Sequence, residues 1–446
     1  MFAQRGRVNE SSEDVNPIPM EDRNKKPSSQ FFLWFGSNLT IADFALGFIP
    51  IELGLNLTYT VIALAIGTLA GGALLASMSI MGPRTGLPQM MIGRHAFGKS
   101  GGKIMSVLQW VNTTGWLTVN TIIAASALAI MIGASYGYLY VLPVVIVALV
   151  VLAIVYFGHN AIHGFEKAMS VVLGILFLYL TVYSFTNYSG DFYYGAFSLV
   201  GLGTTVALSF SYIMSWGPYA SDYSRYVRPG SRSVFWDVLA GSVISTIWVE
   251  IVGSLVALAI YNGNGEPASM LGTMLGRFAD IGLIALVLGG FAANSLNLYS
   301  NSISLRSAGI GISRRTILLI ITALSIILGI YGYSSFYSYY EDFLYVLDYW
   351  ITPWLGIIIA DYLLSRGEIT SISPGYNVRT FIAYLVPIAI SIPFIDPVPQ
   401  LEGPISAMLG GVDISYFISF GLSMVFFYLL RRKDFRHRLS FTAQTK

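Results

Sequence analysis

The chain has 446 residues, of which 55% are hydrophobic and only 11% are charged, whereas a soluble domain carries about 25% charged residues. The formal net charge of +2 gives no reason to expect a nucleic-acid partner, and the lack of cysteine excludes disulfides and thiolate metal sites. Apolar runs of about 20 residues or more match membrane-spanning helices rather than barrel strands. The composition therefore predicts an all-α integral membrane protein in a lipid bilayer.

The chain begins with a polar segment, residues 1–30, which we predict to be a mobile cytoplasmic tail because it mixes acidic, basic, Pro and Ser residues. Twelve apolar spans follow, each bounded by charged residues or by Gly, Pro and Asn. The spans cover residues 31–54, 57–82, 103–133, 138–158, 163–187, 201–220, 233–262, 281–304, 314–334, 340–364, 376–396 and 412–431. Residues 432–446 form a second tail, and an even number of spans places both tails on the same side.

Lysine and arginine are distributed unevenly between the two sides of these spans. The loops and tails on the side of the termini hold 24 of the 25 basic residues, and Arg277 alone falls on the other side. Basic residues accumulate on the cytoplasmic side of membrane proteins. The sequence therefore predicts a multi-pass protein of the cell membrane with both termini in the cytoplasm.

The first and sixth spans carry breaks that the second to fifth spans lack. The first contains WFGSNLTIADFALGFIP at residues 34–50, and the sixth contains SFSYIMSWGPYASDYSRY at residues 209–226. Interruptions at matching positions of two halves are typical of transporters built on inverted repeats, and a pair of ordinary proline kinks is the alternative. We expect one repeat over residues 31–187, a second over residues 188–364, and two further spans within residues 365–431.

Three amides lie on one face of the eighth span. Asn294, Asn297 and Asn301 are spaced by three and four residues in an otherwise apolar segment. A carboxamide facing lipid would leave its donors and acceptor unsatisfied, so this face must point into the protein. One such Asn usually joins two helices, whereas three in a stripe favour the wall of a polar cavity.

The third span offers a partner for such a cavity. Trp116 and Asn120 are four residues apart and therefore share a helix face. An indole can stack on a flat heteroaromatic ligand while a neighbouring carboxamide hydrogen-bonds to the edge of the ring. Trp216, at the break of the sixth span, would cover the opposite face of the ligand. Packing or the membrane interface is the plainer role for any of these tryptophans, and we assign Trp34 to it.

Several segments together resemble the nucleobase–cation symporter-1 family, which includes cytosine/purine, allantoin, uracil and hydantoin permeases. They are GPRTGLPQMMIGRHAFG at 82–98, MSWGPYASDYSRYVRPGS at 214–231, NLYS at 297–300 and PWLGIIIADYLLSR at 353–366. The resemblance implies the leucine-transporter fold, with ten core helices in two inverted repeats and two extra helices at the C-terminal end. It also implies a substrate site between the first, third, sixth and eighth helices.

The same resemblance implies roles for particular residues. Trp116 would stack on the base, Asn120 would hydrogen-bond to its edge, and Trp216 would stack on the opposite face. The other substrate-binding residues that it implies are Asn294, Asn297, Ser37 and Asn38. On this interpretation the protein is not an enzyme, needs no cofactor or metal, and imports a cytosine- or purine-type nucleobase by cation symport with alternating access.

Uphill uptake needs a coupled cation. Sodium-coupled relatives carry two hydroxyl residues before the amide that matches Asn294, whereas this chain has Ala292 and Ala293 there. Methyl groups do not ligate sodium, and their presence favours proton coupling. A proton carrier would be an acid within the membrane. Loss of hydration there disfavours the ionised carboxylate, so that the acid can bind and release a proton near physiological pH. Asp43 is the first candidate and Glu250 is the second.

Charged residues near the predicted cytoplasmic ends of the spans have other expected roles. Asp222 and Arg225 end the sixth span, where we expect a local ion pair or an inner-gate contact. Asp361, near the end of the tenth span, is expected to be structural. The four histidines fall in predicted cytoplasmic loops or in the tail, so the membrane region offers little material for enzymatic or metal chemistry.

Sequence alone leaves several alternatives open. One is a permease of the same fold for allantoin, uracil or hydantoin with sodium coupling. A channel is less favoured because no repeated filter motif is present, and an amino-acid carrier would need partners for a carboxylate and an amine. The residues fix neither the particular base nor the oligomeric state.

Overall fold

The computed structural model of the chain describes residues 15–135, 137–187, 195–230, 233–259, 267–333, 336–369, 372–396 and 401–444. Helices dominate these residues, which confirms the predicted all-α class. The α-helices in chain order are α1 (Ser28–Ser37), α2 (Ile41–Leu46), α3 (Ile49–Glu52), α4 (Leu57–Ser79), α5 (Met81–Thr85), α6 (Gln89–Ile132), α7 (Val141–Tyr156), α8 (His159–Asn187), α9 (Leu199–Met214), α10 (Ala220–Ser224), α11 (Ser233–Ala259), α12 (Pro267–Leu275), α13 (Ala279–Ala308), α14 (Arg314–Gly332), α15 (Phe336–Leu364), α16 (Val378–Ser391), α17 (Pro404–Met408) and α18 (Ser415–Gln444).

Nine helical segments among the described residues are long and apolar enough to cross a membrane, and they coincide with the second to tenth predicted spans. The pair formed by α1 and α2–α3 makes a tenth if it counts as one bent span. The last two predicted spans fall on Val378–Phe394, which is apolar but shorter, and on α18. The total of twelve spans therefore stays a prediction.

The first predicted span is interrupted as expected. Its two parts meet at an angle of 59° across residues 38–40. The Thr40 hydroxyl caps α2 by accepting a hydrogen bond from the Asp43 amide at 3.3 Å. A close approach of α8 explains the glycine just before the break, because a Cβ on Gly36 would lie 2.8 Å from the carbonyl oxygen of Glu166.

The sixth predicted span is interrupted without a comparable bend. α9 ends at Met214, a 3-10 turn covers Gly217–Tyr219, and α10 begins at Ala220. Pro218 has no amide hydrogen to donate, so regular α-helical hydrogen bonding stops at this point. The segment Leu199–Ser224 still forms a single span of 26 residues, which makes the break local.

The helix α6 is 44 residues long and extends beyond the predicted third span. Its first part, residues 89–98, contains most of the GPRTGLPQMMIGRHAFG segment. The helix changes direction at Gly98, whose φ of 81° lies in the left-handed region that favours glycine. A hydrogen bond from the Lys99 amide to the Ser373 carbonyl (2.7 Å) holds this turn against the segment before α16.

Part of the predicted N-terminal tail is packed against the helices. The Arg23 side chain is buried, and its guanidinium donates four hydrogen bonds to backbone carbonyls. These carbonyls belong to Ile18, Pro83, Arg84 and Thr85. Three of them lie at the end of α5, where a helix leaves carbonyls without partners in the helix itself. The prediction of a mobile tail is therefore wrong for residues 18–27, and residues 1–14 lie outside the described residues.

Candidate functional site

The helix α13 packs extensively against α6 and also touches α1 and α2. Small residues permit this approach. A Cβ on Gly290 would lie 2.6 Å from the Ala124 side chain on α6, and a Cβ on Gly289 would clash with the backbone of Leu39 in the first-span break. The break of the first span, the third-span helix and the eighth-span helix therefore meet at one place.

The three amides of α13 divide into two groups. Asn294 donates from Nδ2 to the Leu117 carbonyl and to the Thr121 hydroxyl, both at 3.0 Å. Asn301, seven residues later, makes the same kind of contact with α6. Its Nδ2 donates to the Trp110 carbonyl at 3.2 Å and to the Thr114 hydroxyl at 2.8 Å. These two amides join α13 to α6, which is the plainer of the two roles weighed for the stripe.

Asn297 points instead toward the sixth span. Its Oδ1 accepts a hydrogen bond from the Tyr219 hydroxyl at 2.9 Å, and Tyr219 belongs to the 3-10 turn at the break. The Tyr223 hydroxyl, further along on α10, donates to the Leu296 carbonyl at 2.7 Å and lies 2.9 Å from the Ser300 hydroxyl. The eighth-span helix is thus bonded to the sixth-span break as well as to α6.

Trp116 and Asn120 lie one turn apart on α6 and are both buried, with exposures of 3% and 2%. Aromatic rings meet Trp116 edge-on, with centroid distances of 5.2 Å to Tyr212 and 5.3 Å to Phe343. Asn120 donates from Nδ2 to the Trp116 carbonyl on its own helix at 3.0 Å. Both side chains therefore face the protein interior rather than lipid.

Trp216 is also buried, and its neighbours link it to the first span. Its ring meets Trp34 edge-on, with centroids 5.4 Å apart, and lies tilted against Tyr219, with centroids 5.3 Å apart. The Trp34 carbonyl on α1 accepts hydrogen bonds from Asn38 Nδ2 at 2.8 Å and from Ser37 Oγ at 3.4 Å. Trp34 thus lies between the predicted site residues of the first and sixth spans, a position that its assignment to general packing did not anticipate.

Several buried polar atoms around this junction make no hydrogen bond within the described part of the chain. They are Asn38 Oδ1, Asn120 Oδ1, Asn294 Oδ1, Asn297 Nδ2, Trp34 Nε1 and Trp116 Nε1. Buried carboxamide and indole groups normally have partners. These three acceptors and three donors belong to α1, the break between α1 and α2, α6 and α13, and they are polar groups that the described chain leaves unpaired.

The two acids considered for ion coupling are both fully buried. Asp43 Oδ2 accepts hydrogen bonds from the Tyr212 hydroxyl at 2.9 Å and from the Thr40 hydroxyl at 3.2 Å. Glu250 Oε2 accepts from the Thr68 hydroxyl at 3.2 Å. In the described chain the side-chain donors to these carboxyls are hydroxyl groups, and no basic side chain is among them.

Asp222 and Arg225 are buried at the end of α10, where the gate contact is expected. Asp222 Oδ1 accepts a hydrogen bond from the Gln89 amide at 2.9 Å and so caps the start of α6. Arg225 donates from Nε to the Asp222 carbonyl and from Nη2 to the hydroxyls of Tyr226 and Tyr299, each at 3.3 Å. These two residues therefore tie the sixth span to α6 and α13.

The described histidines lie on helices rather than in the expected loops, because α6 and α8 extend past the apolar spans. His95 on α6 pairs with Asp361 on α15 at 2.7 Å between Nδ1 and Oδ2, which agrees with a structural role for Asp361. His159 and His163 lie in the first two turns of α8, and His159 stacks on Tyr226 with ring centroids 3.8 Å apart. The described residues contain no cluster of three His, Asp or Glu side chains that could hold a metal ion.

Sequence reasoning missed two further residues of this region. Tyr212 touches both Trp116 and Asp43, and its position one turn before Trp216 in an interrupted span is the signal that points to it. Glu166 is fully buried on α8. An acid three residues inside a predicted membrane span is the signal for Glu166, but the polar residues around it make this part of the sequence look like a loop.

A bent break in the first span, a second break in the sixth, and buried polar groups between them and two long helices define a membrane transporter of the broken-helix type. A family profile described as "Permease for cytosine/purines, uracil, thiamine, allantoin" matches residues 17–419. The chain belongs to this family, the nucleobase–cation symporter-1 family of permeases.

Individual relatives agree with this assignment. A Bacillus subtilis protein named "Putative purine-cytosine permease YxlA" is 28% identical over 96% of this chain and 97% of its own length. The purine-cytosine permease fcyB of Emericella nidulans is 26% identical over 90% of this chain and 84% of its own length. Among solved structures, Mhp1 in a closed conformation with bromovinylhydantoin bound has a TM-score of 0.78 at 18% identity, covering 95% of each chain. This likeness supports the leucine-transporter type of fold.

Proposed function

We propose that the chain imports a nucleobase of the cytosine or purine type by proton symport with alternating access. The observation that carries the proposal is the set of unpartnered carboxamide and indole atoms on α1, α6 and α13. A nucleobase is planar and carries alternating donors and acceptors along its edge, so it suits such a site. Several relatives named as purine-cytosine permeases support the same substrate class.

Trp116 and the amides divide the recognition of the base. Trp116 stacks on the ring, and Trp216 with Trp34 closes the side of the sixth and first spans. Asn120 Oδ1 accepts from an amino or ring N–H group of the base, while Asn297 Nδ2 donates to a ring nitrogen or a carbonyl oxygen. The supporting observation is that each of these two amide atoms is buried and lacks a partner in the described chain.

The side chains at the two possible ion sites favour proton coupling over sodium coupling. Ala292 and Ala293 offer no side-chain oxygen to a sodium ion. Asp43, in contrast, is connected to the substrate region through Tyr212, whose hydroxyl donates to the carboxyl at 2.9 Å and whose ring meets Trp116 at 5.2 Å. A change in the position of Trp116 on binding a base would therefore reach the Asp43 hydrogen bond through a single side chain.

Substrates of other family members are the main alternative. The family profile includes uracil, thiamine and allantoin, and the solved structure of Mhp1 holds a hydantoin. The test is a thermal-shift screen of purified protein against cytosine, purines, uracil, allantoin and hydantoins, since a bound ligand stabilises by mass action. Stabilisation by cytosine or a purine above the others supports the proposal, and stabilisation by hydantoin or allantoin alone would contradict its substrate class.

Counterflow then separates a carrier from a channel. Proteoliposomes loaded with unlabelled base should take up radiolabelled base transiently above equilibrium if the protein is a carrier, and a channel would only equilibrate it.

Tyr212→Phe tests the coupling path in the same system, because it keeps the ring against Trp116 and removes the hydroxyl from Asp43. We expect this variant to bind and exchange the base while accumulating less of it under a pH gradient. Accumulation that follows a sodium gradient at fixed pH would overturn proton coupling.

A further inference from the structure

Glu166 is a buried carboxyl that the mechanism above does not use. It lies on α8, seven residues after the helix begins and about 10 Å along its axis. Its exposure is 0%, and neither side-chain oxygen receives a hydrogen bond from any residue that the structure describes. Asp43 and Glu250 each accept at least one hydroxyl donor, so the isolation of Glu166 distinguishes it from both.

The Glu166 carboxyl lies against the break of the first span. A Cβ built on Gly36 would be 3.1 Å from Glu166 Oε2 and 2.8 Å from the Glu166 carbonyl oxygen. Gly36 belongs to the last turn of α1, directly before Ser37 and Asn38. The carboxyl is therefore at the contact between α8 and the half of the first span that lies on the predicted cytoplasmic side.

Other titratable groups near α8 do not pair with Glu166. α1 itself contains none. The titratable residues of the elements near α8 are Lys25 before α1, Tyr156 on α7, Asp237 and Glu250 on α11, and Asp280, Tyr299 and Arg306 on α13. Those on α8 itself are His159, His163, Lys167, Tyr179 and Tyr183. Within the described chain none of these side chains donates a hydrogen bond to either carboxyl oxygen.

We propose that Glu166 carries the transported proton on the predicted cytoplasmic side of the break and releases it when α1 moves away from α8. This inference rests on the proposed proton symport. While α1 and α8 are in contact, the carboxyl keeps its O–H bond, because the ionised form would have neither a donor nor a cation beside it. Separation of the helices admits water, the O–H bond breaks, its electron pair stays on the carboxylate, and the proton passes to water.

The same movement then couples proton release to opening of the substrate site. α1 carries Trp34, and it ends at Ser37, next to the break beside which the proposed function places the base. An ionised Glu166 favours the open arrangement of α1, and a protonated Glu166 favours the closed one, because a proton shifts the equilibrium by its different affinity for the two states. Asp43 lies beyond the break on α2, so the two acids flank the break.

The first test is transport of radiolabelled cytosine in proteoliposomes by the wild type, E166Q and E402Q. Glu402 is an exposed acid and serves as the control for loss of a carboxyl. E166Q imitates the protonated state and so favours the closed arrangement of α1. We therefore expect E166Q to exchange the base more slowly than the wild type and to lose accumulation driven by a pH gradient, while E402Q keeps both at the wild-type level. Accumulation by E166Q at the wild-type level would overturn the proposal. A wild type without counterflow would instead contradict the proposed function.

A second measurement keeps Glu166 in place and does not depend on how E166Q folds. The chain has no cysteine, so S170C is a single reporter at a buried position whose amide nitrogen would lie 3.3 Å from a Cβ on Gly36. K433C, at an exposed position, gives the reference rate. We expect a polar maleimide to label S170C several-fold faster relative to K433C as the pH rises from mildly acidic to mildly alkaline. A relative rate that does not change with pH would contradict the proposal.

Discussion

Replacing Asn120 by alanine should weaken binding of a nucleobase with little loss of stability. Asn120 Nδ2 donates to the Trp116 carbonyl of its own helix at 3.0 Å, and Asn120 Oδ1 has no partner in the described chain. The fold therefore loses little when the carboxamide is removed. A bound base would be left with a buried unpaired polar group, at a cost of about 1–3 kcal/mol, or an increase in Kd of about 5-fold to 150-fold.

Asn301→Ala is the matched control, because it removes the same carboxamide from a position between helices. Asn301 Nδ2 donates to the Trp110 carbonyl at 3.2 Å and to the Thr114 hydroxyl at 2.8 Å. We expect this variant to melt at a lower temperature than Asn120→Ala and to keep a Kd near that of the wild type. Equilibrium binding of radiolabelled cytosine and a melting curve without ligand supply the two quantities. Normal binding by Asn120→Ala, or weaker binding by Asn301→Ala than by Asn120→Ala, would show that Asn120 does not recognise the base.

Two further predictions concern packing. Gly47→Ala should lower the free energy of unfolding by about 1–3 kcal/mol, because the new methyl group would clash with the Glu250 carbonyl. Gly164→Ala, which meets nothing within 4 Å, should instead raise it slightly, because alanine favours a helix more than glycine does. Melting curves that do not separate these two variants would contradict the close approach of α2 and α11. Asp361→Ala should lower the free energy of unfolding by about 1–3 kcal/mol, because the His95 ring loses its buried acceptor at 2.7 Å. A melting temperature equal to that of the wild type would show that this pair does not hold α6 to α15.

The sequence predicts the spans and the positions of the breaks because these follow from local chemistry. Long apolar runs define the second to tenth spans, which the helices match. Glycine and proline mark both interruptions, at Gly36 and at Pro218. Local sequence does not determine the bend angle at a break, since the angle is 59° in the first span while the sixth stays a single span. It depends on which helices press against each break.

The roles of the amides on α13 could not be read from their spacing. Asn294 and Asn301 bond to α6 because the register of the two helices brings a carbonyl and a threonine hydroxyl opposite each amide. Asn297 lies three residues from Asn294 and meets Tyr219 instead. Helix register is a tertiary property, so a stripe of amides predicts an inward face without saying which neighbour each amide meets.

Long-range contacts also explain what the sequence does not show about Arg23 and Trp34. Arg23 reads as part of a polar tail, yet the carbonyls at the end of α5 bind its guanidinium and order the segment around it. Trp34 is a packing residue, as expected, but the sequence does not show that the ring it packs against is Trp216. Both assignments require knowing that the ends of the first, second and sixth spans converge.

The most direct test of the central claim is an experimental structure of the protein with cytosine bound. We expect a ring stacked on Trp116, with its polar edge in contact with Asn120 and Asn297, beside the break between α1 and α2. A base bound at another place, or one that touches none of these three side chains, would contradict this expectation.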